Sequence, residues 1–528
     1  MRGEIGPSFG GLLQTGWPSP VPSGSNARVA RVAVSSRADE MSTVTDSCDV
    51  CIVGAGLAGM NALFVAAQYT SRDQRIILID RRERLGGMWV DTYPYVRLHQ
   101  PHPMFTAGDI RWTLDRDRDR GRGYLATQPE ILDHFEHCLD VIRQHATVEV
   151  LLGCEMESDT EADGVVRLTC RTADGRRRVI TTPRLIKASG FAVTPNDPLE
   201  IRSDAVHSVS PDFCDMSAGE IGASDAPVWV IGGGKTGMDT CHALIASQPG
   251  REVNLVAGSG TFFLNRDRAF PAGARRWWSG TMPSASGAQM LSRFDGTNER
   301  EAGDWFRNAH GTWPTAAADS YVLGIMSEGE SRAIAAGLSH VVMDRFVDVV
   351  DGQGSPLMRM GSGATRPVTP GSWIVNCTGY VLQDDMPYEP FISPGGCVLS
   401  IQPRSATMHL TSFMAYFMTH MLFLGKLADT PVYELDAVEL RRKSKLALPF
   451  GLLVVAQYNL SVMYDELPTR VFLECGLNVD RWYPLLRQMM GSVRFVTTHR
   501  RDRASAKRTL DTLRERFDLR CGPLAPTT

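Results

Sequence analysis

The apolar residues of this chain fall mostly into short unbroken runs, set off by glycine turns from stretches of helical period. Val50-Cys51-Ile52-Val53 and Ile76-Ile77-Leu78-Ile79 carry no polar position, which suits strands covered on both faces in a parallel sheet. A helix-like stretch joins them. The pattern recurs where Val228-Trp229-Val230-Ile231, a helix from Met238 to Ala246 and Val253-Asn254-Leu255-Val256 follow one another. Between these units, Pro129–Ala146 has the period of an amphipathic helix, with Ile131, Phe135, Leu139 and Ile142 on one face. His134, His137 and Cys138 on the same helix are not expected to hold a metal, because no carboxylate or further ligand pattern accompanies them, and the two histidines are expected to face solvent. Strand-like stretches follow at Val148–Leu152, Gly164–Cys170, Leu185–Phe191 and Val341–Asp351. Thr411–Leu427 is an apolar helix. Leu446–Tyr464 has about the length of a membrane span, but Pro449, Gln457, Asn459 and Ser461 interrupt it, so it is expected to be buried core and no transmembrane segment is expected. Arg500–Arg520 alternates charges with Leu510, Leu513 and Phe517 and predicts a docked surface helix.

The chemistry is concentrated where the runs end. The first meets Gly54-x-Gly56-x-x-Gly59. Gly54 permits the tight turn, Gly56 lets backbone approach a pyrophosphate, and Gly59 lets the helix pack on the strand with its N–H groups towards the phosphates. Asp80, 21 residues after Gly59, is placed to accept hydrogen bonds from an adenosine ribose. Arg81 and then Gly86-Gly87-Met88-Trp89 follow, and a second glycine pair beside an aromatic suits a bulky planar flavin better than a nicotinamide. The second unit repeats the device in Gly232-Gly233-Gly234-Lys235-Thr236-Gly237. There the acid is missing, and Ala257-Gly258-Ser259 closes the next strand. With no carboxylate to repel a 2′-phosphate, and Lys235, Ser259 and Arg266 at hand to bind it, NADPH is expected over NADH. Two fingerprints in one chain imply hydride transfer from nicotinamide to flavin.

Composition bounds this picture. At 528 residues and 43% hydrophobic, the chain can bury two or three cores. A net charge of −4 and pI near 6.3 give no electrostatic case for nucleic acid. Eleven scattered cysteines point to reduced thiols and a cytoplasmic setting. Cys48 and Cys51, read on one strand, would face opposite ways about 10 Å apart, which excludes a disulfide or shared metal. Residues 1–45 are rich in Gly, Pro, Ser and Ala and are expected to be disordered. Met41, just before the first strand, is an alternative start to Met1. A transit peptide is disfavoured by Glu4, Asp39 and Glu40. Residues 115–123, a charge run with glycines, predict an exposed loop.

Gly86-Gly87-Met88-Trp89 followed by Tyr93-Pro94, with Arg97-Leu98-His99 behind, resembles the class B flavin-dependent monooxygenases: flavin-containing monooxygenases, Baeyer–Villiger monooxygenases and the plant auxin-forming enzymes. The resemblance implies FAD on the first domain. Leu185–Phe191 is similar to the family's strand leaving the FAD domain, and Trp373–Tyr380 to the strand by which the chain returns. The implied fold is α/β with two Rossmann-like dinucleotide-binding domains, a helical insertion and a helical C-terminal extension. The FAD domain is expected to be discontinuous over residues 46–200 and 371–430, with an inserted NADPH domain at 201–370. That domain carries an insertion at 268–335, and 431–528 forms the extension. The insertion holds Trp277, Trp278, Trp305 and Trp313, either over a cleft or in a small core of its own. The helix from Thr411 is expected to aim its N-terminus near the flavin. The family signature around His207 is matched only in part, since Ile201 and Ser203 stand where Phe and Gly are expected.

The activity so implied is transfer of one oxygen atom from a C4a-(hydro)peroxyflavin to a small organic substrate, with O2 as co-substrate. A flavin dehydrogenase or oxidase without oxygen transfer, and a non-catalytic redox sensor, stay open, as does a homo-oligomer. A disulfide reductase is disfavoured because Met88–Tyr93 holds no cysteine. The expected cofactor contacts are Gly54, Gly56, Gly59, Asp80, Arg81, Gly87, Met88 and Trp89 for FAD. For NADPH they are Gly232, Gly234, Lys235, Thr236, Gly237 and Ser259, and the linker adds Thr378 and Gly379. No metal is expected. His99, near the spacing at which the family carries Asn or Asp, is the candidate catalytic residue, expected to titrate near neutral pH and manage the oxygen intermediate.

Overall fold

The computed structural model describes residues 44–116, 121–190, 193, 195–379 and 386–524. The disorder expected before residue 44 and the tip of the loop at 117–120 lie outside the described residues. Two five-stranded sheets carry the architecture, and every strand in both is parallel to its neighbours. In the first, Val50–Val53 is central, with Arg75–Ile79 and Thr147–Leu151 on one side and Leu185–Lys187 and Val398–Ser400 on the other. In the second, Val228–Ile231 is central, with Val253–Val256 and His340–Val342 on one side and Trp373–Asn376 and His207–Val209 on the other. Four strands follow the same order in both, while the outermost strand comes last in the first sheet and precedes the central strand in the second; a glycine loop leaves the central strand of each. Ile76–Ile79 and Val228–Ile231 are buried throughout, as strands covered on both faces must be.

Helix α1 (Leu57–Tyr69) follows the first loop. Helix α2 (Gln128–Arg143) starts at a capping box in which Thr127 and Glu130 satisfy each other's backbone donors. Helix α3 (Lys235–Ser247) follows the second loop. Helix α4 (Thr411–Phe423) lies on α1, with Phe64 stacked on Tyr416 at 6.5 Å and Tyr69 on Phe423 at 5.1 Å between ring centroids. Helix α5 (Leu448–Glu466) is the apolar stretch expected to be core, and it is buried along most of its length. The surface helix expected at Arg500–Arg520 is the second half of a 33-residue helix α6 (Leu485–Phe517). No helix among the described residues is long and apolar enough to cross a membrane.

Several expectations are corrected. Val44–Ser47 is a strand, paired with residues 178–181 in a four-stranded sheet with Arg177–Thr182, Val165–Thr172 and Cys154–Ala162. The chain breaks at 48–49 before entering the first parallel sheet, so Cys48 and Cys51 do not share a strand. Both face one core with Cys154, Cys170 and Cys397, and all are free thiols. His134 is buried, not solvent-facing: its ring stacks on Trp112 at 3.8 Å and its Nε2 lies 3.0 Å from Thr106 Oγ1. Trp373–Asn376 pairs with Val228–Ile231 and so belongs to the second sheet. The chain rejoins the first only at Val398–Ser400. The insertion is not purely helical, since Thr261–Asn265, Gly311–Thr312 and Ser320–Met326 form a small sheet beside its helices.

Candidate functional site

The two glycine loops are built alike down to single contacts. At Gly54, where φ is 105°, a Cβ would stand 2.5 Å from the Ala188 carbonyl oxygen, and at Gly59 it would stand 1.7 Å from that of Gly54. At Gly232, with φ 125°, a Cβ would stand 2.3 Å from the Cys377 oxygen, and at Gly237 2.0 Å from that of Gly232. Each first glycine thus lets the central strand pass the end of its neighbour, and each last one lets the helix close on the turn. Gly56 and Gly234 precede α1 and α3 with no side-chain cap, so the first-turn N–H groups of both helices are aimed at an anion site.

The first loop is fixed by Asp80, which is 5% exposed. Its Oδ2 accepts from the Ala55 N–H at 2.6 Å and its Oδ1 from the Arg82 N–H at 2.9 Å. Each oxygen keeps a second lone pair for a ribose hydroxyl. Gly87, at φ 57°, brings the second glycine pair against the first loop, where a Cβ would lie 2.7 Å from Gly56 Cα. A Cβ on Gly56 would lie 3.3 Å from Gly87 Cα. The cradle is therefore lined by bare backbone, which fits a pyrophosphate and a planar ring. Trp89 is half-buried, edge-on to Phe105 at 5.6 Å. Arg81 and Met88 are exposed, so neither is held in place by the fold.

In the second loop, Gly234 has open space where a Cβ would point. Lys235, however, is paired with Asp239 one turn along α3, and Arg266 with Glu330. Two of the three side chains expected to bind a 2′-phosphate are already neutralised. Ser259 is 3.3 Å from Ser320, hydroxyl to hydroxyl. Thr378 donates its hydroxyl to Asn376 Oδ1 at 2.7 Å, and Gly379 follows at φ 76°. In the first linker Gly190, at φ 64°, would put a Cβ 4.0 Å from Thr411 Oγ1, so this linker ends at the start of α4.

The segment after Gly87 spans from one loop to the other. The Tyr93 hydroxyl donates to Asp239 Oδ2 at 2.9 Å, and Tyr95 and Thr240 share a hydroxyl bond of 2.7 Å. Burial, reinforced by the Asp239 carboxylate, pushes the Tyr93 phenol up and keeps it a donor. The His99 carbonyl accepts from Arg266 Nη1 at 3.0 Å. Burial, then the Lys235 and Arg266 cations, hold the His99 imidazole down at about 3. His99 is thus neutral at physiological pH, and the expected titration near neutrality is corrected. His207 lies exposed on an edge strand, 4.7 Å from the Trp373 ring. Sequence reasoning missed Tyr95, Asp239 and Thr240, although the Lys235-to-Asp239 spacing of one helical turn is legible.

Residues 48–282 match the family model described as pyridine nucleotide-disulphide oxidoreductase. Uncharacterized protein Rv2000 of Mycobacterium tuberculosis is 31% identical over 210 residues, which cover 38% of this chain. The chain spans 36% of that relative's length. MymA of the same organism, whose name describes an FAD-containing monooxygenase, is 46% identical over 61 residues, 11% of this chain and 12% of MymA. Among solved structures, oxidized steroid monooxygenase bound to NADP superimposes with a TM-score of 0.50 at 14% identity, over 80% of this chain and 98% of that one. Two parallel sheets, each with a glycine loop and an uncapped helix, thus give this chain a fold similar to that of the steroid monooxygenase.

Proposed function

We propose that this protein is an FAD- and NADPH-dependent oxidoreductase, a monooxygenase that transfers one atom of O2 to a small organic substrate. The observation that carries the reading is the bridge of Tyr93 and Tyr95 to α3 and of the His99 carbonyl to Arg266, which ties the segment after the Gly87 cradle to the second nucleotide unit. The names of MymA and of the steroid monooxygenase support it. The first loop fits FAD because its lining is bare backbone at Gly56 and Gly87, with a buried carboxylate behind it. The second fits a dinucleotide because Gly234 leaves space before an uncapped helix.

The Gly56–Gly87 cradle would hold FAD, whose chemistry would supply hydride acceptance from NADPH and oxygen activation. The chain's own residues position and shield. Gly56, Gly59 and the first turn of α1 bind the pyrophosphate, and Asp80 the ribose. Gly234, Thr236 and Gly237 hold the second pyrophosphate, with Ser259 at the adenosine end. Lys235 and Arg266 keep Asp239 and Glu330 as counter-charges, so the 2′-phosphate competes for cations that are already paired. His99, held neutral, offers a hydrogen bond without adding charge beside Lys235 and Arg266. The uncapped start of α4 directs a positive dipole end to where the first linker ends, which favours an anionic reduced ring. We place the protein in the cytoplasm, as its free thiols favour. The test is anaerobic reduction of the FAD-loaded protein with NADPH and with NADH, followed by aerobic turnover on a panel of ketones, amines and sulfides. Rapid bleaching by NADPH and oxygenated product in step with NADPH consumed are expected. Hydrogen peroxide as the sole product would replace the reading by an oxidase, and no bleaching by either nucleotide would leave a binding protein.

A further inference from the structure

The first three turns of α6 turn an apolar face outward. Leu485, Leu486, Met489, Met490, Val493 and Val496 are 70, 63, 55, 66, 63 and 47% exposed. At about 100° per residue these six positions occupy one arc of about 140°, with only Thr497 among them. The opposite side is the one that meets the fold: a Cβ on Gly491 would touch Met282, Gln488 donates to the Tyr483 carbonyl at 2.6 Å, and Phe495 lies edge-on to Tyr464 of α5 at 5.3 Å. The outward arc is therefore not a core face left open by a gap in packing.

Trp277 and Trp278, 55 and 73% exposed, stand beside it. Arg487, at the edge of the arc, clamps their loop by donating to the carbonyls of Arg276 at 3.0 Å, Ser279 at 2.7 Å and Gly280 at 3.0 Å. Those carbonyls bracket the tryptophan pair. Arg494 is at the same edge of the arc, and Arg275 and Arg276 precede the tryptophans. Among the described residues no carboxylate pairs with Arg275 or Arg276, while Asp480 is the acid that faces Arg494 and the loop carbonyls hold Arg487. Beyond Thr498 the next basic residues are paired, Arg500 and Arg503 with Asp465 and Arg501 with Asp502, and take no part in the patch.

A surface that exposes Leu, Met and Val along one helical arc, flanked by tryptophans and an excess of arginines over carboxylates, has the composition of an interfacial helix. Apolar side chains enter the acyl boundary, tryptophans sit at headgroup depth, and arginines meet lipid phosphates. We propose that the start of α6 and the Trp277–Trp278 loop dock this protein, reversibly and without spanning, on an anionic phospholipid bilayer. The excess of arginines chooses this occupant over a second copy of the chain, whose own arginines would face them across an isologous contact. The inference does not depend on the oxidoreductase reading.

The test uses the full-length, FAD-loaded protein with phosphatidylcholine vesicles, with and without phosphatidylglycerol, at about 0.1 M and about 0.5 M salt. Sedimentation with the anionic vesicles, a blue shift of tryptophan emission and weakening by salt are expected. Trp277→Ala/Trp278→Ala and, separately, Met489→Ser/Met490→Ser should each lower the partition coefficient about tenfold. Both pairs are exposed, so their circular dichroism should match the parent, and agreement of two independent pairs removes misfolding as an explanation. No sedimentation with anionic vesicles, or sedimentation that neither pair changes, overturns the proposal. So does a dimer seen by light scattering that both pairs dissociate, which would make the face a contact between copies.

Discussion

Gly56 shows how one hydrogen atom in place of a side chain sets up the first site. Its Cβ position is 3.3 Å from Gly87 Cα and points into the cradle. Gly56→Val is expected to abolish FAD binding while leaving the strand and α1 in place, because Gly56 has an ordinary extended backbone with φ −83°. A purified variant that retains flavin at the parental stoichiometry would remove the assignment. A second prediction concerns acid stability. Burial holds the His134 imidazole down at about 3, from 6.5, and its Nδ1 has no hydrogen-bond partner among the described residues. The unfolded chain takes up the proton first, so this contribution is full above pH 6.5 and is lost as the pH falls towards 3. The slope is at most about 1.4 kcal/mol per pH unit from one such group. His134→Gln should flatten the decline of urea-unfolding free energy between pH 6 and about 4, and a slope equal to the parent's would count against the burial argument.

Elements are held in register by buried polar anchors that periodicity does not reveal. On α5, Asn459 accepts from the Tyr433 N–H at 2.8 Å and donates to the carbonyls of Thr407 at 2.6 Å and Tyr433 at 2.7 Å. It ties the helix to the strand Tyr433–Leu435 and to the loop before α4. Read along the sequence, Asn459 is an interruption that argues against a membrane span. Folded, it is one of the contacts that join the C-terminal extension to the FAD-side helices, beside the Tyr416 hydroxyl that donates to the Val471 carbonyl at 2.7 Å. Asn459→Leu leaves three backbone groups buried and unpaired and should cost about 3 kcal/mol or more. Equilibrium denaturation measures this, and a change below about 1 kcal/mol would mean that water or a shifted backbone replaces the amide.

At the scale of the whole molecule, function depends on how the two nucleotide units meet. The Tyr93-to-Asp239 hydrogen bond joins the segment after the flavin cradle to α3. Tyr93→Phe keeps the ring and removes this bond, worth about 1 kcal/mol, so NADPH-driven flavin reduction should slow about fivefold with FAD content unchanged. Anaerobic stopped-flow reduction reads this. Loss of FAD instead would place Tyr93 in the cradle, and an unchanged rate would show that the bridge does not set the approach of the two units.

The sequence by itself determined both glycine loops, the buried strands and Asp80, because each is a local demand: a tight turn, a double-faced strand or an acid one strand on. It also determined that α5 is core. Tertiary structure alone decided which strand joins which sheet. Trp373–Asn376 and Val398–Ser400 are both short apolar runs, and only pairing separates them. It moved Cys48 and Cys51 onto one core, because a break at 48–49 resets the alternation that a continuous strand would impose. It buried His134 against Trp112 from across the fold. It also turned Lys235 and Arg266 from free cations into paired ones and held His99 neutral, since charge and burial depend on residues distant in sequence such as Glu330.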